Sequence, residues 1–513
     1  MNKQLRNVVW VIAGCFVLLF AQLNRIQVFE AEALQDNQNN TRKIQREFDR
    51  ERGRIITRDG TVVAFSEPVA DSTFSEQRKY PHGNLYAHTV GYISFTVGAD
   101  GVERFFSSEL IGDTSDLAQI TDEIRGRASK QDVVLTLDHV LQTTAQEALG
   151  NREGSVVALD PRSGELLALW SFPSYDPTPL VSHDGSVSSR AFRDLAEAES
   201  DPLLAKTTQE IYFPGSTFKV VTASAALETG GATLEAPVFE QSSGYELPLS
   251  SSSLRNFGGS TCGGNLVELL VVSCNTGFAE LAVEQLGPEA MSREAEKYGF
   301  NQELPFDLRP PAVSEFPTDY GTLVRNPTDE IPAGIFENSA KLAQTSIGQN
   351  SVSATPLQMA LVAAAVANQG EVPTPHVVKE IRETPEVSEG SNTEADGPDV
   401  VEEFTPDSFS RAMSAESAEQ LGQALVETAE RGSAKNIAVS GVEIGAKTGT
   451  AQIGTEPKRS HAWIIAYAGP PGQEPEIAIA VLVKADPSRP EQTGGSDAAP
   501  IARAVIERYF DRS

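Results

Sequence analysis

The feature that most constrains the fold is a helical segment that is apolar on every side. Residues Pro356 to Asn368 are almost all Ala, Val, Leu and Met. A helix without a polar face is stable only when it is buried at the centre of a large domain. The chain has 513 residues, of which 40% are apolar and 22% are charged. This is globular composition, with enough material for such a core and for two or three domains.

Predicted strands lie before and after this helix along the chain. Gly154 to Asp160 and Glu165 to Trp170 flank a Pro-Arg-Ser-Gly turn and predict a β-hairpin. The remaining predicted elements are helices at Lys219 to Thr229 and Leu266 to Leu286, strands at Gly445 to Gln452, Ala462 to Ala468 and Ile477 to Lys484, and a closing helix from about Ala498 to Phe510. This order predicts an α+β fold in which an antiparallel β-sheet is covered by helices.

The part of the chain before residue 135 has a different texture. Residues 28–50 are polar and charged, as expected for an exposed stalk, and Asp59-Gly60 is a strong hairpin turn between two β-prone runs. We therefore predict a smaller β-rich N-terminal domain over residues 25–135 and a larger domain over 136–513. Within the larger domain, residues 380–410 are rich in acidic groups and predict a surface loop or a partly disordered insert.

An apolar run near the N-terminus predicts a membrane anchor. Val8 to Leu23 carries no charge, and Lys3 and Arg6 precede it. The run is slightly shorter than the roughly 20 residues of a full span, but its edge residues bring it close. The positive flank predicts a cytoplasmic tail over 1–7, a single transmembrane span over 8–24 and an extracytoplasmic remainder, which places the protein in the cell membrane.

A cleaved signal peptide is the competing interpretation of this run. Ile12 to Cys15 also resembles a lipoprotein cleavage box, although the apolar run continues well past it.

The charge and the scarcity of metal ligands exclude several functions. The formal net charge is −30, and an acidic surface repels phosphate backbones, so no nucleic acid partner is expected. Six scattered histidines give no spaced set of metal ligands, and the sequence contains no Gly-rich phosphate-binding loop. Neither a metal nor any other cofactor is therefore predicted.

Two of the three cysteines, Cys262 and Cys274, lie close together in the segment predicted to be extracytoplasmic. A disulfide between them is geometrically feasible and suits an oxidising compartment. Two free buried thiols are the equally open alternative.

A serine and a lysine at the start of a helix are the first candidates for chemistry. Pro214-Gly215 predicts a turn, so Ser216 falls at the helix start and Lys219 projects from the same face. Desolvation lowers the pKa of a buried lysine, so Lys219 can act as the base for Ser216 without a histidine. On its own, a Ser-x-x-Lys pattern arises about once by chance in a chain of this length. A helix-capping serine followed by a surface lysine is then the simpler interpretation.

Two further motifs make the pattern specific. Ser273 and Asn275 lie in the second predicted helical region, where the hydroxyl can relay a proton to a leaving amine and the amide can bind a substrate amide. Lys447-Thr448-Gly449-Thr450 lies on a predicted strand. Its glycine lets substrate backbone approach closely, and its hydroxyls and ammonium can hold a terminal carboxylate. Three motifs in this order, each on a suitable element, form a strong signal.

The three motifs resemble those of class B penicillin-binding proteins. The resemblance covers nearly the whole chain after the anchor. The family's usual Asp-Arg-x-Gly is replaced here by Thr57-Arg58-Asp59-Gly60, a departure in the pedestal domain and not in the chemistry. The other similar segments are Arg52-Gly53-x-Ile55, Gly101 to Glu103, Gly154 to Trp170, Tyr212 to Lys219, Gly348-Gln349, Thr355 to Met359 and Lys447 to Ala451. The resemblance implies the transpeptidase fold shared with serine β-lactamases, with a pedestal-like N-terminal domain.

The resemblance also implies a peptidoglycan D,D-transpeptidase and assigns its acylation chemistry. Ser216 would attack the carbonyl between the two terminal D-alanines of a stem peptide, and Lys219 would be the base. Ser273 would carry the proton toward the departing D-alanine. The backbone N–H groups of Ser216 and Thr450 would form the oxyanion hole. β-Lactam antibiotics would acylate Ser216 and leave slowly.

Substrate binding is assigned in the same way. Asn275 would position the peptide, and Lys447 would support the electrostatics of the site. Thr448 and Thr450 would bind the substrate carboxylate, on either side of Gly449. The implied partners are stem peptides ending in D-Ala-D-Ala, β-lactams, the membrane through the N-terminal helix, a separate glycosyltransferase, and divisome or elongasome proteins.

Two other classes of function remain open from the motifs. A D,D-carboxypeptidase or a β-lactamase-type hydrolase shares all three motifs and differs only in the fate of the acyl-enzyme. A non-catalytic cell-wall scaffold or β-lactam sensor is disfavoured by the intact Ser216, Lys219 and Lys447. His461 begins the strand after Lys-Thr-Gly and is expected to be a buried strand residue beside Trp463 rather than a group bordering the cleft.

Overall fold

The computed structural model describes residues 3–25, 48, 50–70, 72–112, 130–384, 399–454, 459–489 and 492–511. Its first element is helix α1, Lys3–Asn24, which contains the apolar run. Across these ranges, no helix is both long enough and apolar enough to cross a membrane. Most of the predicted stalk lies outside the described residues.

The N-terminal domain is built from short strands and single-turn helices. Its elements are strands β1 Ile55–Ile56, β2 Val62–Pro68, β3 Glu76–Lys79, β4 Tyr92–Ser94, β5 Gly98–Asp100 and β6 Gln131–Leu135, and helices α2 Ala87–Val90, α3 Val102–Phe105 and α4 Ser107–Ile111. Strands β1 and β2 form the predicted antiparallel hairpin around Asp59-Gly60. Gly60 has a φ of +87°, which this tight turn requires and a side chain disfavours. Strand β1 also pairs with β6 in parallel.

The larger domain contains an antiparallel sheet, as predicted. Its strands are β7 Gly154–Leu159, β8 Leu166–Phe172, β9 Phe239–Ser242, β10 Gly244–Glu246, β11 Ser253–Arg255, β12 Cys262–Gly264, β13 Leu323–Arg325, β14 Ile335–Phe336, β15 Glu371–Pro373, β16 Val378–Glu383, β17 Val400–Glu403, β18 Ser408–Arg411, β19 Glu443–Ile453, β20 Arg459–Gly469 and β21 Ile477–Val483. Five of them form one sheet in the order β19-β20-β21-β7-β8, and every neighbouring pair is antiparallel. Strand β19 lies at an edge of this sheet.

Helices make up much of the rest of the larger domain. They are α5 His139–Leu149, α6 Gly185–Ala196, α7 Lys219–Thr229, α8 Leu266–Val271, α9 Asn275–Glu280, α10 Gly287–Lys297, α11 Ser339–Thr345, α12 Pro356–Ala367, α13 Ala415–Arg431 and α14 Ala499–Phe510. Helix α12, the segment predicted to be apolar all round, is buried from Pro356 to Val366 and packs on β7, β20 and β21. Helices α5 and α14 pack on each other and on strands of the same sheet.

The structure differs from the prediction of a surface loop over residues 380–410. Strand β16 pairs with β6 and strand β17 pairs with β16, so both extend the sheet of the N-terminal domain, which runs β17-β16-β6-β1-β2-β3. The acidic composition concealed this strand, because only Val378 and Ile381 of β16 are buried. Strand β18 pairs with β15. Residues 385–398 lie outside the described residues.

A buried cluster of charged side chains lies within the N-terminal domain. Arg52 and Arg78 both donate to the carboxylate of Glu103, Arg52 from Nε to Oε2 at 2.9 Å and Arg78 from Nε to Oε1 at 2.6 Å. The Tyr80 hydroxyl donates to Oε1 at 3.2 Å. Burial by itself raises the pKa of Glu103, but Arg78 and Arg52 outweigh it and hold that pKa below its usual value. We call Arg52, Arg78 and Glu103 the arginine clamp.

The two domains are joined by polar contacts as well as by the shared sheet. His88 of the N-terminal domain lies 2.8 Å from the carbonyl oxygen of Pro202 through its Nε2. The Tyr175 hydroxyl donates to the carbonyl of Ala87 at 3.0 Å. Burial lowers the pKa of His88 to about 4, so this imidazole is neutral at physiological pH.

Candidate active site

Ser216 lies in a tight turn immediately before helix α7. The turn spans Gly215–Phe218 and has 3₁₀ geometry, which places residues three apart on the same side. Ser216 therefore faces the same side as Lys219, the first residue of α7. Gly215 has a φ of +54°, and its N–H donates to the carbonyl of Gly348 at 2.9 Å, which holds the turn against a second loop. Ser216 is half-buried, with its side chain at the wall of a cleft.

Lys219 brings the first two motifs together. Its side chain is completely buried. The Nζ atom donates to the carbonyl oxygen of Ser273 at 2.8 Å and to Oδ1 of Asn275 at 2.7 Å, and lies 3.3 Å from Oγ of Ser273. Three residues predicted from two separate motifs thus share one hydrogen-bond network.

The surroundings of Lys219 disfavour its positive charge. Burial first, and then repulsion by Lys447, hold the pKa of Lys219 well below its usual value. The ring of Phe278 lies 5.5 Å from Nζ and favours the cation, but a single cation–π contact is weaker than the desolvation. Within the described ranges, no carboxylate forms an ion pair with Lys219.

A break in a helix puts Ser273 beside Lys219. The sequence predicted one continuous helical region from Leu266 to Leu286, whereas α8 ends at Val271 and α9 begins at Asn275. Ser273 has a φ of +58°, a left-handed conformation that few residues other than glycine adopt. The N–H of Ser273 bonds the carbonyl of Leu270, and the N–H of Cys274 bonds that of Leu269. This is the Schellman arrangement that ends a helix, and it turns the Ser273 carbonyl toward Lys219.

Asn256 holds this break in place, and motif reasoning missed it. Its Oδ1 accepts the backbone N–H of Asn275 at 2.9 Å and of Thr276 at 3.0 Å. Its Nδ2 donates to the carbonyls of Ser242 and Ser260. Asn256 is buried but stands alone in the sequence without a pattern, so only its spatial position reveals its role.

Cys262 and Cys274 are joined by a disulfide, with their Cα atoms 5.8 Å apart. The bond links strand β12 to the residue between Ser273 and Asn275. Together with Asn256, it ties the second motif to the strands beside it.

Lys447 and Thr448 lie on the edge strand β19. Lys447 is completely buried, and burial lowers its pKa to about 7. The Thr448 hydroxyl donates to Oγ of Ser433 at 2.9 Å. Ser433 follows helix α13 and also lines the cleft, yet no motif marked it.

Gly449 is required for a reason that differs from the prediction. A Cβ atom at this position would lie 2.8 Å from the carbonyl oxygen of Pro214 and 3.1 Å from the side chain of Thr217. The close approach is therefore to the turn that carries Ser216, which seats this turn against β19.

The three motifs surround one cleft of about 1040 Å³. The predicted site residues that line it are Ser216, Ser273, Asn275, Thr448 and Thr450. Lys219, Lys447 and Gly449 do not line the cleft. His461 is also absent from the lining, since it is buried and its Nδ1 accepts the N–H of Ala485 at 3.0 Å. Trp463 is buried beside it, and its Nε1 donates to the carbonyl of Phe213 at 3.0 Å.

A buried lysine that has no carboxylate partner in the described residues, bonds one serine and lies three residues after another, behind the cleft that both serines line, is an arrangement for acyl transfer. It supplies a nucleophile, a base and a second hydroxyl that can move a proton.

Two family models match the chain. Residues 154–507 match the penicillin binding protein transpeptidase domain, and residues 52–134 match the penicillin binding protein A dimerisation domain. Curated relatives over nearly the whole length are peptidoglycan D,D-transpeptidases PbpA. The relative from Mycolicibacterium smegmatis is 36% identical, with 99% of this chain and 98% of that protein covered. The relative from Mycobacterium tuberculosis is 35% identical, with 99% of both covered.

Solved structures are similar to the fold as well. A ceftriaxone acyl-enzyme complex of penicillin-binding protein A from M. tuberculosis superposes with a TM-score of 0.77 at 34% identity, and covers 90% of this chain and 99% of that one. The penicillin G acyl-enzyme complex of the same protein gives a TM-score of 0.75 at 34% identity, over 90% of this chain and all of the other.

Proposed function

The chain belongs to the penicillin-binding protein transpeptidase family, and we propose that it is a peptidoglycan D,D-transpeptidase that cross-links stem peptides through an acyl-enzyme at Ser216. Within the family it is most like penicillin-binding protein A of actinobacteria, as its short N-terminal domain and length suggest. The observation that carries the assignment of residues is that Ser216 and Ser273 line one cleft and that the buried Lys219 behind it bonds Ser273.

Acylation begins with the Ser216 hydroxyl. Its oxygen attacks the carbonyl carbon between the two terminal D-alanines, and its proton passes to Nζ of Lys219. The tetrahedral intermediate then collapses with cleavage of the carbon–nitrogen bond. Ser273 donates its proton to the departing amine of D-alanine and is reprotonated from Lys219, which leaves an ester on Ser216 and a neutral amine.

The contacts of Lys219 suit it to this role. An uncharged amine has two N–H donors and one lone pair. The carbonyl of Ser273 and Oδ1 of Asn275 accept the two N–H bonds, at 2.8 and 2.7 Å. The lone pair is then free to accept the proton of Ser216, and burial, by lowering the pKa of Lys219, favours this uncharged form.

Deacylation repeats the sequence with an amine of a neighbouring stem peptide. The amine attacks the ester carbonyl and gives one proton through Ser273 to Lys219. The carbon–oxygen bond to Ser216 then breaks, the Ser216 oxygen takes this proton from Lys219, and the cross-linking amide is left. A β-lactam acylates Ser216 with opening of its ring, so no fragment departs and the cleft stays blocked. Transfer is favoured over hydrolysis because the relatives along 99% of the chain are named as transpeptidases.

The terminal carboxylate of the donor peptide is assigned to the β19 side of the cleft. Thr448 and Thr450 line this side and offer hydroxyl donors. Lys447 lies behind them and adds positive charge when it is protonated.

We further propose that α1 anchors the protein in the cell membrane, with its N-terminus in the cytoplasm and both domains outside. The uncharged run Val8 to Leu23 behind Lys3 and Arg6 supports this, as does the exposure of apolar side chains such as Trp10 and Phe16 along the helix. N-terminal sequencing of the membrane fraction tests it. An intact N-terminus is expected, whereas a new N-terminus near Cys15 or beyond Leu23 contradicts it.

Partners follow from the same function. The two family models that match describe a transpeptidase domain and a dimerisation domain. We propose that a separate glycosyltransferase supplies the glycan strands. We propose that it acts beside divisome or elongasome proteins.

The test of the proposed function is to locate and time the penicilloyl group. The full chain is incubated with benzylpenicillin, digested and analysed by mass spectrometry over hours. We expect one adduct, on the peptide containing Ser216, that is absent from Ser216→Ala and is lost slowly. Release of hydrolysed penicillin within seconds would instead identify a β-lactamase, and an adduct on another residue would overturn the nucleophile assignment.

A further inference from the structure

The cleft has a charge that is opposite to that of the protein. The chain contains 71 acidic and 41 basic residues. Of the 25 described residues that line the cleft, none is Asp or Glu, although composition alone would place roughly three there. The one charged side chain among them is Arg255. A cleft that excludes carboxylates and keeps a cation is suited to an anionic ligand.

Arg255 is held at the rim by its backbone while its side chain stays available. It is the last residue of β11 and pairs with Gly244 of β10. Its carbonyl accepts a hydrogen bond from Nδ2 of Asn275 at 3.1 Å. The side chain is exposed, and no residue within the described ranges forms an ion pair or side-chain hydrogen bond with its guanidinium.

The position of Arg255 relative to the motifs indicates which part of a substrate it faces. Under the proposed function, Thr448 and Thr450 hold the terminal carboxylate on the β19 side of the cleft. Asn275 holds a peptide amide on the opposite side, and Arg255 is bonded to Asn275. Arg255 therefore lies beside the segment of the donor that precedes the scissile bond.

Two exposed apolar side chains border the same part of the cleft. Phe257 is 61% exposed and Val272 is 52% exposed, and both line the cleft with Arg255. They offer contacts to the methylene groups of a side chain, and they reduce the water around a bound ion pair, which strengthens it.

We propose that Arg255 binds a carboxylate of the donor stem peptide on the N-terminal side of the D-Ala-D-Ala bond, and so selects donors in which that carboxylate is free rather than amidated. The proposal rests on the proposed function and names a specificity residue for it. The planar guanidinium suits a bidentate bond to a carboxylate, whereas an uncharged amide cannot replace this ion pair.

The test is competition between donor peptides and a fluorescent penicillin on the full chain. Two synthetic peptides end in D-Ala-D-Ala and differ only in whether the upstream carboxylate is free or amidated. Their inhibition constants are measured from the slowing of penicillin acylation. We expect the free acid to bind about tenfold more tightly than the amide, with a preference that shrinks as salt is added.

Variants of Arg255 separate recognition from structure. R255Q should bind the two peptides equally, and R255E should prefer the amide. R293Q, which removes an exposed arginine from α10, should keep the tenfold preference. A preference retained in R255Q, an equal loss for both peptides, or no competition by either peptide would overturn the proposal. If the wild-type chain forms no penicilloyl adduct at all, the proposed function itself fails.

Discussion

Among the buried cationic side chains that the structure describes, two pairs handle their charges in opposite ways. In the arginine clamp, Arg52 and Arg78 share the carboxylate of Glu103 and remain charged. At the cleft, Lys219 and Lys447 are equally buried, but in the described residues neither is paired with a carboxylate. Burial lowers the pKa of both lysines, to about 7 for Lys447.

The difference shows how one physical effect serves stability in one place and chemistry in another. A guanidinium does not lose its proton in proteins, so burying it requires a partner. A lysine can lose its proton, so an unpaired buried lysine becomes a neutral base. We therefore expect the arginine clamp to contribute to stability, and Lys219 and Lys447 to contribute to the rate of Ser216 acylation.

The largest effect is expected from Lys219→Met. Loss of the base should lower the rate of Ser216 acylation by benzylpenicillin by about 10³- to 10⁴-fold. Stability should stay equal or rise, because a methionine of similar volume is not penalised by burial. Stopped-flow acylation and thermal unfolding measure the two effects.

Lys206 provides the matched control, since it is also buried but donates to the carbonyls of Ser200 and Asp201 away from the cleft. Lys206→Met should acylate at the wild-type rate per folded molecule. Acylation by Lys219→Met within tenfold of wild type would mean that another group is the base.

The clamp should respond in the opposite way. Glu103→Gln removes the buried carboxylate that Arg52 and Arg78 share, which is expected to lower the free energy of unfolding by about 3–5 kcal/mol. The molecules that remain folded should still be acylated at Ser216. Denaturant unfolding and penicillin labelling of the folded fraction test both expectations.

An exposed pair gives the comparison for this variant. Glu427 and Arg431 pair at the surface of α13, where Glu427→Gln should cost less than about 1 kcal/mol. If Glu103→Gln and Glu427→Gln lowered the free energy of unfolding equally, burial would not make the ion pairs of the arginine clamp more important for stability.

The third prediction concerns a buried base outside the cleft, His88. Its pKa of about 4 lies below the value of about 6.5 in an unfolded chain. Its contribution to stability is complete above pH 6.5 and is lost as the pH falls toward 4, because only the unfolded state then takes up the proton. The free energy of unfolding falls by roughly 3 kcal/mol through this one residue.

His88→Gln should therefore make unfolding less dependent on pH between 7 and 4.5, as measured by urea titration. Part of the dependence should remain, since burial also lowers the pKa of His461 to about 4. If the free energy of unfolding changed equally with pH in the wild type and in His88→Gln, His88 would not be neutral in the folded state.

Local patterns predicted much of the fold. Helix α12 and the strands of the main sheet were predictable because apolar runs and turn residues act over short distances. Strand β16 was not, because its charged residues mask Val378 and Ile381 and its partner β6 is far away in sequence. The sheet that contains β6 and β16 therefore crosses the predicted domain boundary near residue 135, and that boundary remains a prediction.

The candidate site was predictable only in part. The motifs identified Ser216, Lys219 and Ser273, and the structure places them together. Sequence could not identify Asn256 or Ser433, since a single polar residue has no pattern until its partners are known. Nor did sequence reasoning predict the helix break at Ser273, because apolar residues on both sides of it read as one helical pattern, although the residues from Val272 to Gly277 are themselves poor helix formers.

The most direct test of the comparison is the pH dependence of Ser216 acylation by benzylpenicillin between pH 4 and 10. A depressed pKa of Lys219 predicts a rate that stops rising with pH well below the usual pKa of a lysine. It should then fall above about pH 7 as Lys447 loses its charge, with the two lysines titrating as a coupled pair. A rate that increases tenfold per pH unit up to pH 10 would mean that the base is an ordinary lysine, and would contradict the account.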